Sequence, residues 1–137
     1  MRWLIMVVAL VGLVAASLAL REHYRTGTSP CSINEKWDCG TVNKSPYAVL
    51  GGVPVADIGI AGYLLLAVLA FKRWWPLLVA AASGALGFSL YLANIEAHVL
   101  EVWCIYCVIS LGAISLIWLL SVVVLASDLM KRRAAAP

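Results

Sequence analysis

The chain has 137 residues, 64% of them apolar and 12% charged, with a formal net charge of +3 and a mean hydropathy of +0.95. That balance excludes an ordinary water-soluble domain. The small positive charge is what membrane insertion requires of a chain like this, so it does not argue for nucleic-acid binding.

A transmembrane helix needs about 20 apolar residues, and four segments reach or approach that length: 3–20, 54–71, 76–95 and 104–126. The predicted fold is therefore all-α, a polytopic membrane protein in which residues 1–137 form one four-helix bundle. Its sizeable connection is the polar loop 21–53.

The first segment, Trp3 to Leu20, ends in the small residues Ala15, Ala16, Ser17 and Ala19, as a cleavable signal peptide would. Its apolar run exceeds the 7–15 residues or so of a signal core, so retention as a membrane helix is expected. The loop that follows carries the turn cluster Thr26-Gly27-Thr28-Ser29-Pro30, then Cys31 and Cys39. Gly51-Gly52-Val53-Pro54 closes it, and Pro54 suits the first position of helix two, where its missing N–H would be unpaired anyway. Asp57 then falls in that helix's first turn, where the helix dipole stabilises a carboxylate.

Between helices two and three stand Lys72, Arg73, Trp74 and Trp75, a basic and aromatic interface anchor. Ser83, Gly84, Ala85, Gly87 and Ser89 in helix three are expected to allow close helix packing. Arg2, Lys72, Arg73, Lys131, Arg132 and Arg133 mark one face of the membrane against a single acid, Asp128. By the positive-inside bias both termini are cytoplasmic. Both cysteine pairs then face the extracytoplasmic side, where disulfides persist.

The chemistry is concentrated in Trp103-Cys104-Ile105-Tyr106-Cys107, at the mouth of the last helix. Helical positions three apart hold their Cβ atoms about 5–6 Å apart, so a small adjustment forms or opens a disulfide. The helix N-terminus favours a thiolate, the nucleophile of thiol–disulfide exchange. Cys107, one turn deeper, is the sulfur expected to face a lipid-soluble acceptor. Cys31 and Cys39, on a loop that can swing, are expected to relay electrons in the order partner, Cys31, Cys39, Cys104, Cys107, acceptor.

Other readings are weaker. Four-cysteine zinc binding is disfavoured because seven residues separate Cys31 from Cys39, beyond the usual two to four or so; no metal is expected. A non-enzymatic membrane protein stapled by two structural disulfides is the alternative, but it would not need a three-residue spacing at a helix start. Glu96, His98 and Glu101 stand where a proton relay to a bound acceptor could run, though a solvated interfacial face is the simpler expectation for each.

The pattern Cys31-x7-Cys39, Ser45, Tyr91-Leu92 and Trp103-Cys104-Ile105-Tyr106-Cys107 resembles the vitamin K epoxide reductase family across residues 31–121. The resemblance implies a prokaryotic homologue with a DsbB-like role, a quinone-dependent thiol–disulfide oxidoreductase of the cell inner membrane. It would take electrons from a separate thioredoxin-fold, DsbA-like protein and pass them to ubiquinone or menaquinone; no fused thioredoxin-like domain is expected. It also implies that Cys104 and Cys107 are the quinone-proximal pair, Cys31 and Cys39 the shuttle, and that Ser45 lines the region between loop and quinone. Trp103 could wall the same pocket. Animal members hold the vitamin with a tyrosine at the position of Leu111, a departure that argues against epoxide reduction and makes Leu111 a candidate quinone contact.

Overall fold

The computed structural model describes residues 1–24 and 34–136. Cys31 lies outside the described residues, as does the turn cluster 26–30. Five α-helices form the frame: α1 Arg2–Tyr24, the short α2 Cys39–Lys44, α3 Val55–Phe71, α4 Trp75–Ile95 and α5 Ile105–Ala135. A 3-10 turn (Pro46–Ala48) and a two-stranded hairpin (β1 Val49–Leu50, β2 Val53–Pro54) lead into α3, and a π-helical turn (Glu96–Leu100) extends α4.

Among the described residues three helices are long and apolar enough to cross a membrane: Arg2–Tyr24, Trp75–Leu100 and Ile105–Ala135. The fourth apolar helix, α3, has 17 residues, or about 26 Å at the usual rise, short of a hydrocarbon core of about 30 Å. Large apolar side chains point outward along the helices, among them Val7, Val14, Leu65, Val68, Leu119 and Val123. A surface this apolar is an integral membrane protein's lipid-facing surface.

The helices run longer than the apolar segments suggest. α1 continues past Leu20 through Arg21, Glu22 and His23 to Tyr24, because no helix breaker stands there and basic groups suit a helix C-terminus. α5 likewise runs to Ala135, its polar end holding an Arg132–Asp128 pair at 3.1 Å. Pro54 is not the first residue of α3; it sits in β2 opposite Val49, and the helix starts at Val55. The hairpin comes from Gly51 and Gly52 at φ 60° and 86°, the left-handed pair that a tight two-residue turn demands and glycine supplies without strain.

α1 packs against both α3 and α5, and α4 against α5, while α3 and α4 touch much less. The core is one apolar cluster in which Ile5, Leu66, Leu78, Ile114 and Ile117 are nearly or wholly buried. At one end of the bundle Arg2 donates to the Phe71 carbonyl at 3.3 Å and lies over the Trp3 and Phe71 rings, while Lys72 covers Trp74. The basic residues of the N-terminus and of the α3–α4 turn thus share one end. At the other end, where α1 finishes, the His23 ring meets the Asn43 carbonyl and α2 is fastened.

Candidate active site

Everything at the second end is arranged around the entry to α5. Residues 36–38 and 102–103 run side by side: the Trp103 N–H donates to the Lys36 carbonyl at 2.6 Å and the Asp38 N–H to the Trp103 carbonyl at 3.0 Å. Asp38 then caps α2, its carboxylate accepting from the Thr41 backbone N–H at 3.2 Å and from the Thr41 hydroxyl at 2.9 Å. Capping of this kind is worth about 1 kcal/mol, and here it fixes Cys39 as the first residue of the helix. Cys39 is fully buried, packed with Val42 and Cys104 in a small cluster of its own. The expectation that both loop cysteines ride a swinging arm is therefore corrected for Cys39, which is folded into the body.

Cys104 is the residue that caps α5, and helix geometry starts at Ile105. It is also fully buried, so it does not look out on an aqueous loop as expected but meets α2. The Asn43 amide joins the two: its Nδ2 lies 2.8 Å from the Cys39 carbonyl and 3.4 Å from the Cys104 sulfur. Cys104 and Cys107 are free thiols, whereas Cys39 is disulfide-bonded. The Cys104 thiol is held below the ordinary cysteine value, chiefly by a hydrogen bond from the Cys107 thiol. The Cys107 backbone N–H and Asn43 add to this, while burial and the nearby Glu96 carboxyl oppose it. Of the two, Cys104 is the sulfur prepared to carry the negative charge.

Cys107 points the other way, into a cavity of about 360 Å³. Such a volume lies in the range of small-molecule sites. The walls are mostly apolar, from Ile58, Leu66, Phe88, Leu92 and Ile114 among others, with a few polar groups: Ser45, Asn43, Tyr63, Glu96 and Ser110. Ser45, Trp103 and Leu111, singled out from the sequence together with Cys107, all line it. Trp103 is thus more than an interfacial belt residue, since its backbone anchors the loop and it borders the cavity. The Tyr63 hydroxyl lies 2.8 Å from the Ser110 hydroxyl and 2.7 Å from its carbonyl, one turn deeper along α5 than Cys107.

The cavity exists partly because glycines leave room for it. Gly62 and Gly84 line it, and nothing lies within 4 Å of where a Cβ would stand on either. Of the small residues of α4 expected to serve close packing, Gly84, Ala85 and Ser89 line the cavity, Ala85 while also packing against the core, whereas Ser83 accepts a hydrogen bond from the Trp118 indole of α5 at 2.9 Å. Close packing occurs elsewhere: a Cβ on Gly12 would collide with the Tyr63 ring, and one on Gly59 would meet Ala16 at 3.5 Å.

Glu96 is a second correction. In place of a solvated interfacial position it is 5% exposed, lines the cavity, and sets Oε2 3.4 Å from the Cys104 N–H. The Cys107 thiol also lies within hydrogen-bonding reach of the carboxyl. His98 and Glu101 are exposed, as expected. Glu96 closes α4 with helical backbone angles, φ −59° and ψ −42°, and faces inward, while the π turn that begins there ends at Glu101, φ 56°, with a hydrogen bond back to the Glu96 carbonyl. Asn43 and Tyr63 are thus functional candidates that residue pattern did not select, and Glu96, weighed from the sequence for a proton relay, lines the cavity.

A dithiol with one sulfur toward a second cysteine and the other toward an apolar cavity can exchange disulfides on one side and meet a lipid-soluble molecule on the other. Residues 3–122 match the vitamin K epoxide reductase family. The match spans most of the chain, the cysteine-bearing loop and all four long helices to the middle of α5, and the protein belongs to that family of membrane oxidoreductases.

Proposed function

We propose that this protein is a quinone-dependent thiol–disulfide oxidoreductase supporting disulfide-bond formation, in the manner of DsbB. Reduced thioredoxin-fold, DsbA-like protein gives its electrons to the Cys31–Cys39 pair, that pair gives them to Cys104–Cys107, and a membrane ubiquinone or menaquinone takes them in the cavity. The single observation that carries this reading is the opposed placement of the inner pair. Cys104 is sealed against Cys39, and Cys107 lines the cavity.

Each transfer follows from that placement. A loop thiolate attacks Cys104 of the oxidised inner pair and displaces Cys107, which takes up the proton the attacking thiol gave up. The second loop cysteine then attacks the first, and Cys104 leaves; a sulfur with a lowered pKa leaves faster. The result is an oxidised loop above a reduced inner pair, matching Cys39 in its disulfide with Cys104 and Cys107 free. Two electrons then pass from the inner pair to the quinone. The apolar walls accept the ring, and Trp103, Ser45 and Leu111 border it. Leu111 stands where animal members of the family carry the tyrosine that holds the vitamin, and it offers no hydroxyl to an epoxide, which speaks against epoxide reduction.

All four long helices are assigned to the membrane in this reading, with α3 supplemented by the hairpin at its start. The basic end is cytoplasmic, the cysteine end faces the extracytoplasmic side of the inner membrane, and residues 1–137 act as one unit. The alternative of two structural disulfides is less well supported, because Cys104 and Cys107 are free. The test is reconstitution: purified protein, a reduced thioredoxin-fold protein and ubiquinone-1 or a short-chain menaquinone, followed by loss of quinone absorbance. Catalytic loss with either quinone is expected, and no turnover with both would refute the assignment.

A further inference from the structure

Reduction of a quinone to a hydroquinone needs two electrons and two protons. The inner pair supplies both electrons as its disulfide closes. Its protons fall short where Cys104 reacts as a thiolate, the form favoured by the Asn43 amide 3.4 Å from its sulfur and by the hydrogen bond from Cys107, so that one proton remains on Cys107. A second proton has to come from a group in the same cavity. Among the described residues Glu96 is the carboxyl lining that cavity; it is almost wholly buried and touches both the Cys104 N–H and the Cys107 thiol.

We propose that Glu96 is a catalytic acid of the quinone half-reaction, delivering one of the two protons the quinone takes up. This rests on the quinone reading above. The step balances: Cys104 thiolate, Cys107 thiol, protonated Glu96 and quinone become the Cys104–Cys107 disulfide, Glu96 carboxylate and hydroquinone. The S–S bond forms, the Cys107 S–H and Glu96 O–H bonds break, and the two sulfurs are oxidised as the quinone is reduced. Charge is conserved at minus one. Glu96 is recharged each time the loop reduces the inner pair: the loop dithiol gives up two protons as its disulfide closes, one to Cys107 and one to the Glu96 carboxylate, so the carboxyl is reset within each cycle.

The experiment measures Glu96→Gln and Glu96→Asp in the full-length protein, with two readouts. One is steady-state ubiquinone-1 reduction driven by a reduced thioredoxin-fold protein; the other is stoichiometric oxidation of that protein without quinone. Removing a general acid costs about 100-fold or more in rate, so Glu96→Gln is expected to lower kcat by that factor, leaving KM for quinone and the stoichiometric exchange within about threefold. Glu96→Asp, which keeps the acid, is expected to recover at least a tenth of the wild-type kcat. Glu96→Gln turning over within threefold of wild type, or losing only KM, would overturn the proposal while leaving the oxidoreductase reading intact. If Glu96→Gln also loses the stoichiometric exchange, Glu96→Asp decides: normal exchange with at least a tenth of the wild-type kcat supports the acid, and normal exchange with a kcat below that refutes it. A wild-type protein that exchanges with the partner but never reduces quinone would instead defeat the underlying reading.

Discussion

The seam between α1 and α3 and the cleft between α3 and α4 use the same kind of residue to opposite ends. At the seam, Gly12 lets the Tyr63 ring lie against the α1 backbone and Gly59 brings Ala16 close, so the helices meet without a gap. At the cleft, Gly62 and Gly84 face empty space, and the helices stand apart around the cavity. Small residues permit close approach in a membrane, but whether approach happens depends on what the neighbouring helix presents. Tyr63 joins the regions: its ring fills the seam and its hydroxyl reaches Ser110 at the cavity. One side of the bundle is built for rigidity, the other for a guest.

That contrast can be broken experimentally, and the largest effect is expected at its chemical edge. Cys107→Ala removes the cavity-facing sulfur and should abolish quinone reduction while the loop pair still exchanges with the thioredoxin-fold partner, read as partner oxidation without hydroquinone. Retained quinone turnover would overturn the assignment of the inner sulfur. Next, Gly84→Leu fills open space. It should raise KM for quinone about tenfold, the scale of a few added carbons in a pocket, with little change in the detergent unfolding midpoint.

The sealed side is sharpened by Asn43→Ala. Losing the amide near the Cys104 sulfur lets its pKa rise toward the ordinary value, so less thiolate is present at a given pH and Cys104 leaves more slowly. Loop-to-inner exchange is expected to slow by about tenfold, the low end of what one hydrogen bond to a charged group is worth. The deficit should persist across pH, because Cys104 is the leaving group in this direction and pH acts on the attacking loop thiolate, which is the same in both proteins. Stopped-flow exchange across a pH series checks this. The smallest effect on turnover belongs to the seam: Gly12→Ala forces the Tyr63 ring to move and should cost about 1–3 kcal/mol of stability, while turnover per folded molecule changes least.

How much of this was legible beforehand differs between apolar and polar features. Hydropathy located all four long helices, because a lipid-facing helix is apolar on nearly every side. Their ends ran further than expected at Tyr24 and Ala135, since a helix does not stop where hydrophobicity stops. The Cys-x-x-Cys, with Ser45, Trp103 and Leu111, was recognisable from spacing and resemblance, and Cys107, Ser45, Trp103 and Leu111 converge on one cavity. Glu96 was not legible as a buried group. Nothing in a linear pattern announces a π turn, and the sequence Glu-Ala-His-Val-Leu-Glu reads as an exposed helix end. Asn43 was hidden for a related reason: its role depends on α2 folding back beneath α5, a contact made by backbone pairing at Lys36, Asp38 and Trp103.

The most direct test of electron transfer from the inner pair to a quinone needs no partner. Purified protein with Cys104 and Cys107 reduced is mixed anaerobically with one equivalent of ubiquinone-1, and hydroquinone is counted against disulfide-linked peptide by mass spectrometry. One hydroquinone for each Cys104–Cys107 disulfide formed is the predicted result. Hydroquinone without that disulfide, or no hydroquinone while both thiols survive, would contradict it.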